Sequence, residues 1–189
     1  MQLTPILAAL RSHCPLFAGR VAGATDRAYL LTLPAPTLPA AWVLAGEDRV
    51  LPQRSATDYW QALTETFVVI VAIDDVAAEQ EEDAFYDQLH LIRQQLWQAL
   101  LGWAPDSEGG AIQYVSGPAY VREAQRLWYQ FTFSRDRDIS ESDSRQQREL
   151  AALGEFEGGD IRLDYIDPGD GPDGKPEHHL TFNLRNLNE

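Results

Sequence analysis

The chain has 189 residues, a mass of 21.2 kDa and 44% hydrophobic residues, enough for one well-buried core with an appendage. Its 15 basic and 29 acidic residues give a net charge of −14, and Lys175 is the only lysine, which argues against a nucleic-acid grip. One cysteine, Cys14, excludes an intrachain disulfide, and we expect no signal peptide or membrane span. Folding in a reducing cytoplasm is therefore expected.

The first third of the chain predicts two short helices and a strand. Thr4 and Pro5 are typical of a helix start, with the threonine hydroxyl capping free amides, so residues 5–13 should be helical. A second short helix is predicted over 25–31. After a proline-rich connection, residues 40–45 predict the first strand.

The middle of the chain predicts the central strand of a sheet. Residues 46–57 are polar, include Arg49 and Arg54, and predict an exposed loop between two strands. The next strand, 62–73, contains the unbroken apolar run 67–73. Because both faces of that run are hydrophobic, we expect elements on each side of it.

A long amphipathic helix follows. Apolar residues recur every three or four positions and share one face: Phe85, Leu89, Ile92, Leu96 and Leu100. The acidic cluster at 79–83 suits a solvated first turn. Gly102 fits the left-handed position that ends a helix, and Trp103 could pack back on Trp97.

An acidic glycine loop at 106–110 precedes two strands, predicted over 111–121 and 127–137, which are rich in aromatic and β-branched residues. Trp103 lies beside this loop, where an amphipathic ring suits a subunit interface. The candidate interface residues are Arg49, Arg54, Trp103, Asp106 and Glu108, and Gly102 is the candidate structural residue.

This block resembles the tail terminator proteins of long-tailed bacteriophages and prophages. The resemblance covers residues 1–138 and is carried by the following segments: Leu100-Leu101-Gly102-Trp103-Ala104-Pro105, Ile112-Gln113-Tyr114-Val115-Ser116-Gly117 and Leu127-Trp128-Tyr129-Gln130-Phe131-Thr132-Phe133. Two upstream segments extend it: Pro39-Ala40-Ala41-Trp42-Val43-Leu44 and Phe67-Val68-Val69-Ile70-Val71.

The resemblance implies a virion structural protein rather than an enzyme. Members form a hexameric ring that caps the tail tube, stops its polymerisation and joins the tail to the head connector. The implied partners are further copies of the chain, the tail tube protein and the head-tail connector protein, with DNA passing nearby without specific binding. The protein would be made in the bacterial cytoplasm and lie at the head-proximal end of the tail. No cofactor is implied.

Residues 139–189 differ in character, with 12 acidic and 5 basic residues. They predict a short helix over 144–153 and a hairpin of strands 160–166 and 178–184, too small to be stable without docking. The chain therefore divides into a core, 1–138, and an acidic extension, 139–189. The predicted class is α+β: a mostly antiparallel sheet of about four strands packed with helices, plus a C-terminal β-hairpin extension.

The sequence predicts no catalytic, metal or cofactor-binding residue. The Asp/Gly/Pro loop after Asp167 fails the EF-hand pattern, and adjacent His178 and His179 on a strand point to opposite faces. His13 and Cys14 lack a supporting acid, which favours a buried cysteine. Two alternatives stay open: another ring protein of the head-to-tail neck, and a metal-dependent enzyme using the Asp/His-rich C-terminal part.

Overall fold

The computed structural model describes residues 1–33, 37–74, 82–123, 126–154, 156–164 and 174–184. Its helices are α1 (Thr4–His13), α2 (Arg27–Thr32), α3 (Glu82–Leu100) and α4 (Arg145–Ala151), with short 3-10 turns at Pro15–Phe17 and Glu141–Asp143. Its strands are β1 (Val21–Gly23), β2 (Ala40–Ala45), β3 (Arg49–Val50), β4 (Gln61–Asp74), β5 (Gln113–Glu123), β6 (Arg126–Ile139), β7 (Gly158–Leu163) and β8 (His178–Asn183). The chain divides into two compact units, Met1–Asp143 and Ser144–Glu189.

A six-stranded sheet organises the first unit, in the order β1-β2-β4-β6-β5 with β3 also paired to β4. All pairs are antiparallel except β1 with β2. The α+β class and the central position of β4 are therefore confirmed. The sheet has two more strands than expected, because three residues of β1 and two of β3 carry too little pattern to be recognised. β3 lies within the segment predicted as loop, where Arg49 pairs with Thr64.

The odd-numbered residues of β4 and β6 face α1 and α3 and form the large core. Phe67 stacks on Phe133 with ring centroids 5.3 Å apart. The helices contribute the following fully buried side chains: Ile6, Leu10, Ile92, Leu96 and Leu100. This face therefore explains the helical spacing of the apolar residues in α3, for its predicted positions from Leu89 onward; the side chain of Phe85 lies outside the described residues.

The even-numbered residues of β4 and β6 face the opposite side, where α2 covers a smaller core. Trp42 and Trp128 pack there with centroids 5.5 Å apart, against Ile70 and Leu30. Both faces of the apolar run in β4 are thus covered within a single chain, as its two-sided hydrophobicity predicts.

The helix ends follow local chemistry with one exception. The hydroxyl of Thr4 was expected to cap α1, but Thr4 is the first helical residue, and Leu3 precedes it without a side-chain cap. Asp26 caps α2 by accepting from the Tyr29 amide at 2.8 Å. Gly102 has φ +77°, so its predicted left-handed conformation is confirmed.

The second unit contains α4 and the β7-β8 hairpin. Ser144 caps α4, accepting from the Gln147 amide at 3.2 Å. The hairpin has one apolar face, with Ile161 paired to Leu180, and one polar face, with Asp160 paired to Thr181. No residue of the described part of this unit is buried. The predicted helix and hairpin are confirmed. Residues 165–166 of the first predicted strand and 167–173 of the predicted turn lie outside the described residues.

Candidate interface site

Arg135 and Glu65 form a buried ion pair at the end of the large core. They are register partners on β6 and β4, two residues beyond the Phe133 and Phe67 pair and on the same face of the sheet. Arg135 Nε donates to Glu65 Oε2 at 2.8 Å, and the two side chains are 1% and 4% exposed. Glu65 also accepts a hydrogen bond from the N-terminal ammonium of Met1.

The same arginine fixes the acidic loop 106–110. Its Nη1 donates to Asp106 Oδ1 at 2.7 Å, and that oxygen also accepts from the Glu108 amide at 3.0 Å. A Cβ at Gly109 would lie only 3.1 Å from the guanidinium, so the glycine lets the loop backbone approach Arg135 closely. Gly110 N–H then donates to the Asp136 carbonyl at 2.7 Å. The loop is therefore held to β6 by a side chain and by backbone.

The charges in this cluster balance, with two cations facing two carboxylates. Burial alone would raise the pKa of Glu65, but hydrogen bonds from the N-terminus and Arg135 outweigh it and hold that pKa below its ordinary value of 4.5. The hydrogen bond from Arg135 lowers the pKa of Asp106. Both carboxyl groups are therefore ionised at neutral pH, as pairing with buried Arg135 requires.

A second, more exposed set of ion pairs lies beside the loop. Arg137 Nη1 donates to Glu108 at 3.1 Å, and its Nη2 donates to Asp143 at 3.0 Å. A backbone hydrogen bond from Ser140 is the main cause that lowers the pKa of Asp143. Glu108 is thus a partner of Arg137 at the surface, whereas Asp106 reaches into the buried cluster.

An open groove of about 540 Å³ runs along the outer ends of β4 and β6. Arg54, Leu51 and Leu63 line it with Glu108, Gly109 and Arg137. The structure therefore brings Arg54 and Glu108 to the same groove, with Asp106 tied to the loop that forms its wall.

Residues 49–60 form an arm beside this groove that exposes four large apolar side chains. The exposed fractions are 48% for Val50, 36% for Leu51, 39% for Tyr59 and 44% for Trp60. The Arg54 guanidinium lies 5.6 Å from the Trp60 ring centroid. Trp60 N–H donates to Gln53 Oε1 at 2.8 Å, so local hydrogen bonds order the tip without burying the aromatic rings.

Trp103 lies apart from the other candidates. The end of α3 is joined to the start of β5 by two hydrogen bonds, Gly102 N–H to the Ile112 carbonyl at 3.0 Å and Ile112 N–H to the Trp103 carbonyl at 2.9 Å. Trp97 contacts Tyr114, with ring centroids 5.2 Å apart, and its contact with Trp103 stays a prediction. Trp103 lines a groove of about 550 Å³ between α1 and α3. We call this surface the helix groove.

The candidate residues lie in three places. Asp106 and Glu108 belong to the acidic loop, and Arg54 lines the same groove as Glu108. Arg49 lies on β3, and Trp103 lies at the helix groove. Sequence reasoning missed Glu65 and Arg135. The sequence did contain an indication of both residues. Each lies two positions before or after a core residue of its strand, and alternate residues of a strand share one face.

The described residues contain no group of three or more His, Cys, Asp or Glu side chains placed to hold a metal. Cys14 is fully buried, and burial raises the pKa of its thiol to about 11. This agrees with the interpretation of Cys14 as a buried cysteine, because the thiolate is the reactive form. No helix in the described part of the chain is long and apolar enough to cross a membrane.

Comparison with known proteins places the chain in a family. The family model described as "Phage tail terminator protein" matches residues 1–144. A chain from the structure titled "Virion of native gene transfer agent (GTA) particle" is 15% identical, with a TM-score of 0.47, over 71% of this chain and 92% of that one. No curated protein matches. On the family match, the chain belongs to the phage tail terminator protein family and is a structural protein of the virion tail.

Proposed function

We propose that copies of this protein assemble into a closed ring, six-fold as the family resemblance implies, that caps the tail tube and stops its polymerisation. The ring would also present a surface to the head-tail connector protein. The observation that carries the proposal is the match of the tail terminator family across the whole first unit. The mechanism is contact between surfaces, without catalysis or a cofactor, and with DNA passing through unbound.

The surfaces around the acidic loop support an assembly role. The arm presents Trp60, Tyr59 and Arg54 in a fixed arrangement, and these residue types dominate the energetics of protein interfaces. Because the tip is already ordered by its own hydrogen bonds, binding would lose little conformational entropy there. We assign Arg49, Arg54, Asp106 and Glu108 to a contact with a neighbouring copy or with the tube.

The net charge of −14 supports the proposal that the protein does not bind DNA that passes through the ring. A negative surface repels phosphates, so a DNA molecule moving through a ring of such subunits would not be retained. We propose the acidic unit Ser144–Glu189 as an appendage that contacts a neighbour, because its described part buries no residue of its own.

The test is negative-stain imaging of the purified protein, alone and with preformed tubes of the tail tube protein. We expect rings in solution or on tube ends, and tubes that stop elongating once capped. A protein that stays monomeric on tube ends and leaves elongation unchanged would contradict the proposal. Binding to the connector but not to the tube would favour a different ring protein of the neck.

A further inference from the structure

The hairpin of the second unit has an apolar face that is exposed along its length. Ile161, Leu163, Leu180 and Phe182 lie on this face, with exposed fractions of 45%, 49%, 60% and 37%, and Gly159 and His178 complete it. Phe156 packs beside Phe182 with ring centroids 6.1 Å apart and is itself 67% exposed. A contiguous apolar face of this kind on a two-stranded hairpin requires a covering partner.

The helix groove of the first unit is apolar and shallow. Small or apolar residues form most of its lining, as follows: Pro5, Ala8, Ala9, Ala99 and Trp103. The remaining lining residues are Ser12, His13 and Gln98, so none of the described residues that line the groove has a carboxylate. Short side chains on both helices leave room for larger apolar side chains from outside.

The sequence segments that contain the two surfaces have net charges of opposite sign. The groove is built from α1 and the end of α3, and residues 1–25 and 88–105 contain no Asp or Glu, although the chain contains 29 of them. Those two segments carry Arg11, Arg20 and Arg93 as their only Arg or Lys residues. Residues 144–189, which form the second unit, hold 10 acidic and 5 basic residues. Opposite potentials favour contact between this acid-free surface and the acidic unit of another copy.

From this pairing we infer that the apolar face of the β7-β8 hairpin of one copy docks in the helix groove of a second copy. The inference rests on the proposed ring, because a ring needs two different surfaces on each subunit that fit each other head to tail. It gives Trp103 a partner and gives the extension, which continues beyond the family match at residue 144, a specific role.

The test uses two full-length variants, each damaging one surface. Ala8→Glu places a carboxylate in the groove at an exposed helix position, and Leu180→Glu places one on the apolar hairpin face. Gln94→Glu, on α3 but outside the groove lining, and Thr181→Glu, on the polar hairpin face, are the matched controls. All four positions lie on the surface, and melting temperatures check that each variant is folded.

Sedimentation velocity and imaging of tube ends then read out assembly. Ala8→Glu and Leu180→Glu should each weaken self-association at least tenfold, while both controls assemble as the parent does. An equal mixture of the two defective variants should give a heterodimer, since one intact groove then meets one intact hairpin. If the hairpin instead docks within its own chain, the mixture stays monomeric and the inference fails.

Two further outcomes separate this inference from the proposed function. Rings formed by the parent and by both defective variants would overturn the docking while leaving the ring in place. A parent that forms no ring in solution or on tube ends would overturn the ring and, with it, the docking.

Discussion

Arg135 and Glu65 form an ion pair across the adjacent strands β6 and β4, at the point where the large core ends. The distance from Arg135 Nε to Glu65 Oε2 is 2.8 Å. The arginine continues to Asp106, so one buried side chain links the central strand to the loop that lines the 540 Å³ groove.

Replacing Arg135 by Met should destabilise the protein by about 3 kcal/mol, because Glu65 would stay buried with one of its two cations removed. Urea unfolding of the parent and the variant measures this. Arg137→Met is the control, since its partners Glu108 and Asp143 are exposed and the expected loss is below about 1 kcal/mol. An equal loss of unfolding free energy in the two variants would show that the buried ion pair contributes no more to stability than the exposed ones.

Stability should fall on acidification. The folded-state pKa values of Glu65 and Asp106 lie below their ordinary values of 4.5 and 3.8, so the unfolded chain binds more protons in this range. The two carboxylates contribute fully to the free energy of unfolding when the pH is above their ordinary pKa values. This contribution is lost as the pH falls from the ordinary pKa values toward the folded-state ones. Urea midpoints between pH 6 and pH 3 should fall less steeply for Arg135→Met than for the parent. Parallel curves would contradict the ionic assignment.

Gly102→Val should cost about 1 kcal/mol or more. The space around this residue is open, but φ +77° strains a β-branched side chain. Gly102→Asn is the matched control, because asparagine tolerates the left-handed region and should cost clearly less. Thermal melting compares the three proteins, and equal melting temperatures for Val and Asn would exclude backbone strain as the cause.

Trp60→Ala should weaken assembly at least tenfold while changing the free energy of unfolding by less than about 1 kcal/mol, because the ring is 44% exposed in the single chain. Tyr86→Ala, at a 63% exposed position on α3, is the control for loss of a surface aromatic ring. Ring counts in negative-stain images provide the measurement. Normal assembly by Trp60→Ala would show that Trp60 is not part of the assembly interface.

Truncation after Asp143 should leave a folded first unit. Every described residue of the two hydrophobic cores lies within Met1–Asp143, and the cut keeps the Arg137–Asp143 ion pair. A cooperative thermal transition should remain, whereas ring closure or attachment of the head should be impaired. A truncated chain without a cooperative transition would mean that the extension is part of the core, and normal infectious particles would mean that it is dispensable.

The parts of the fold with strong periodicity could be predicted from the sequence. The α3 helix has a repeating apolar face, Gly102 has the residue type that its left-handed end requires, and β4 is apolar on both sides. The two shortest strands could not be predicted, because three residues in β1 and two in β3 are too few to show an alternating pattern.

The sequence predicted the exposed residues of the candidate site but not its buried ion pair. Arg54 and Glu108 were recognisable as polar residues in loops, but their common groove depends on how β3 and the 106–110 loop meet the ends of β4 and β6. Glu65 and Arg135 escaped notice because a charged residue within a strand is ordinarily assigned to the solvent face. Only the register between the two strands pairs them.

The 14-residue ladder between β4 and β6 also has a mechanical consequence. At about 3.3 Å per residue, it extends roughly 45 Å without a break in pairing, from Asp74 and Arg126 to Gln61 and Ile139. Trp60 directly precedes one end of this ladder, while Trp42 and Trp128 pack near the other. A load applied along β4 and β6 would act on the hydrogen bonds of this ladder in shear and would therefore be shared among many of them.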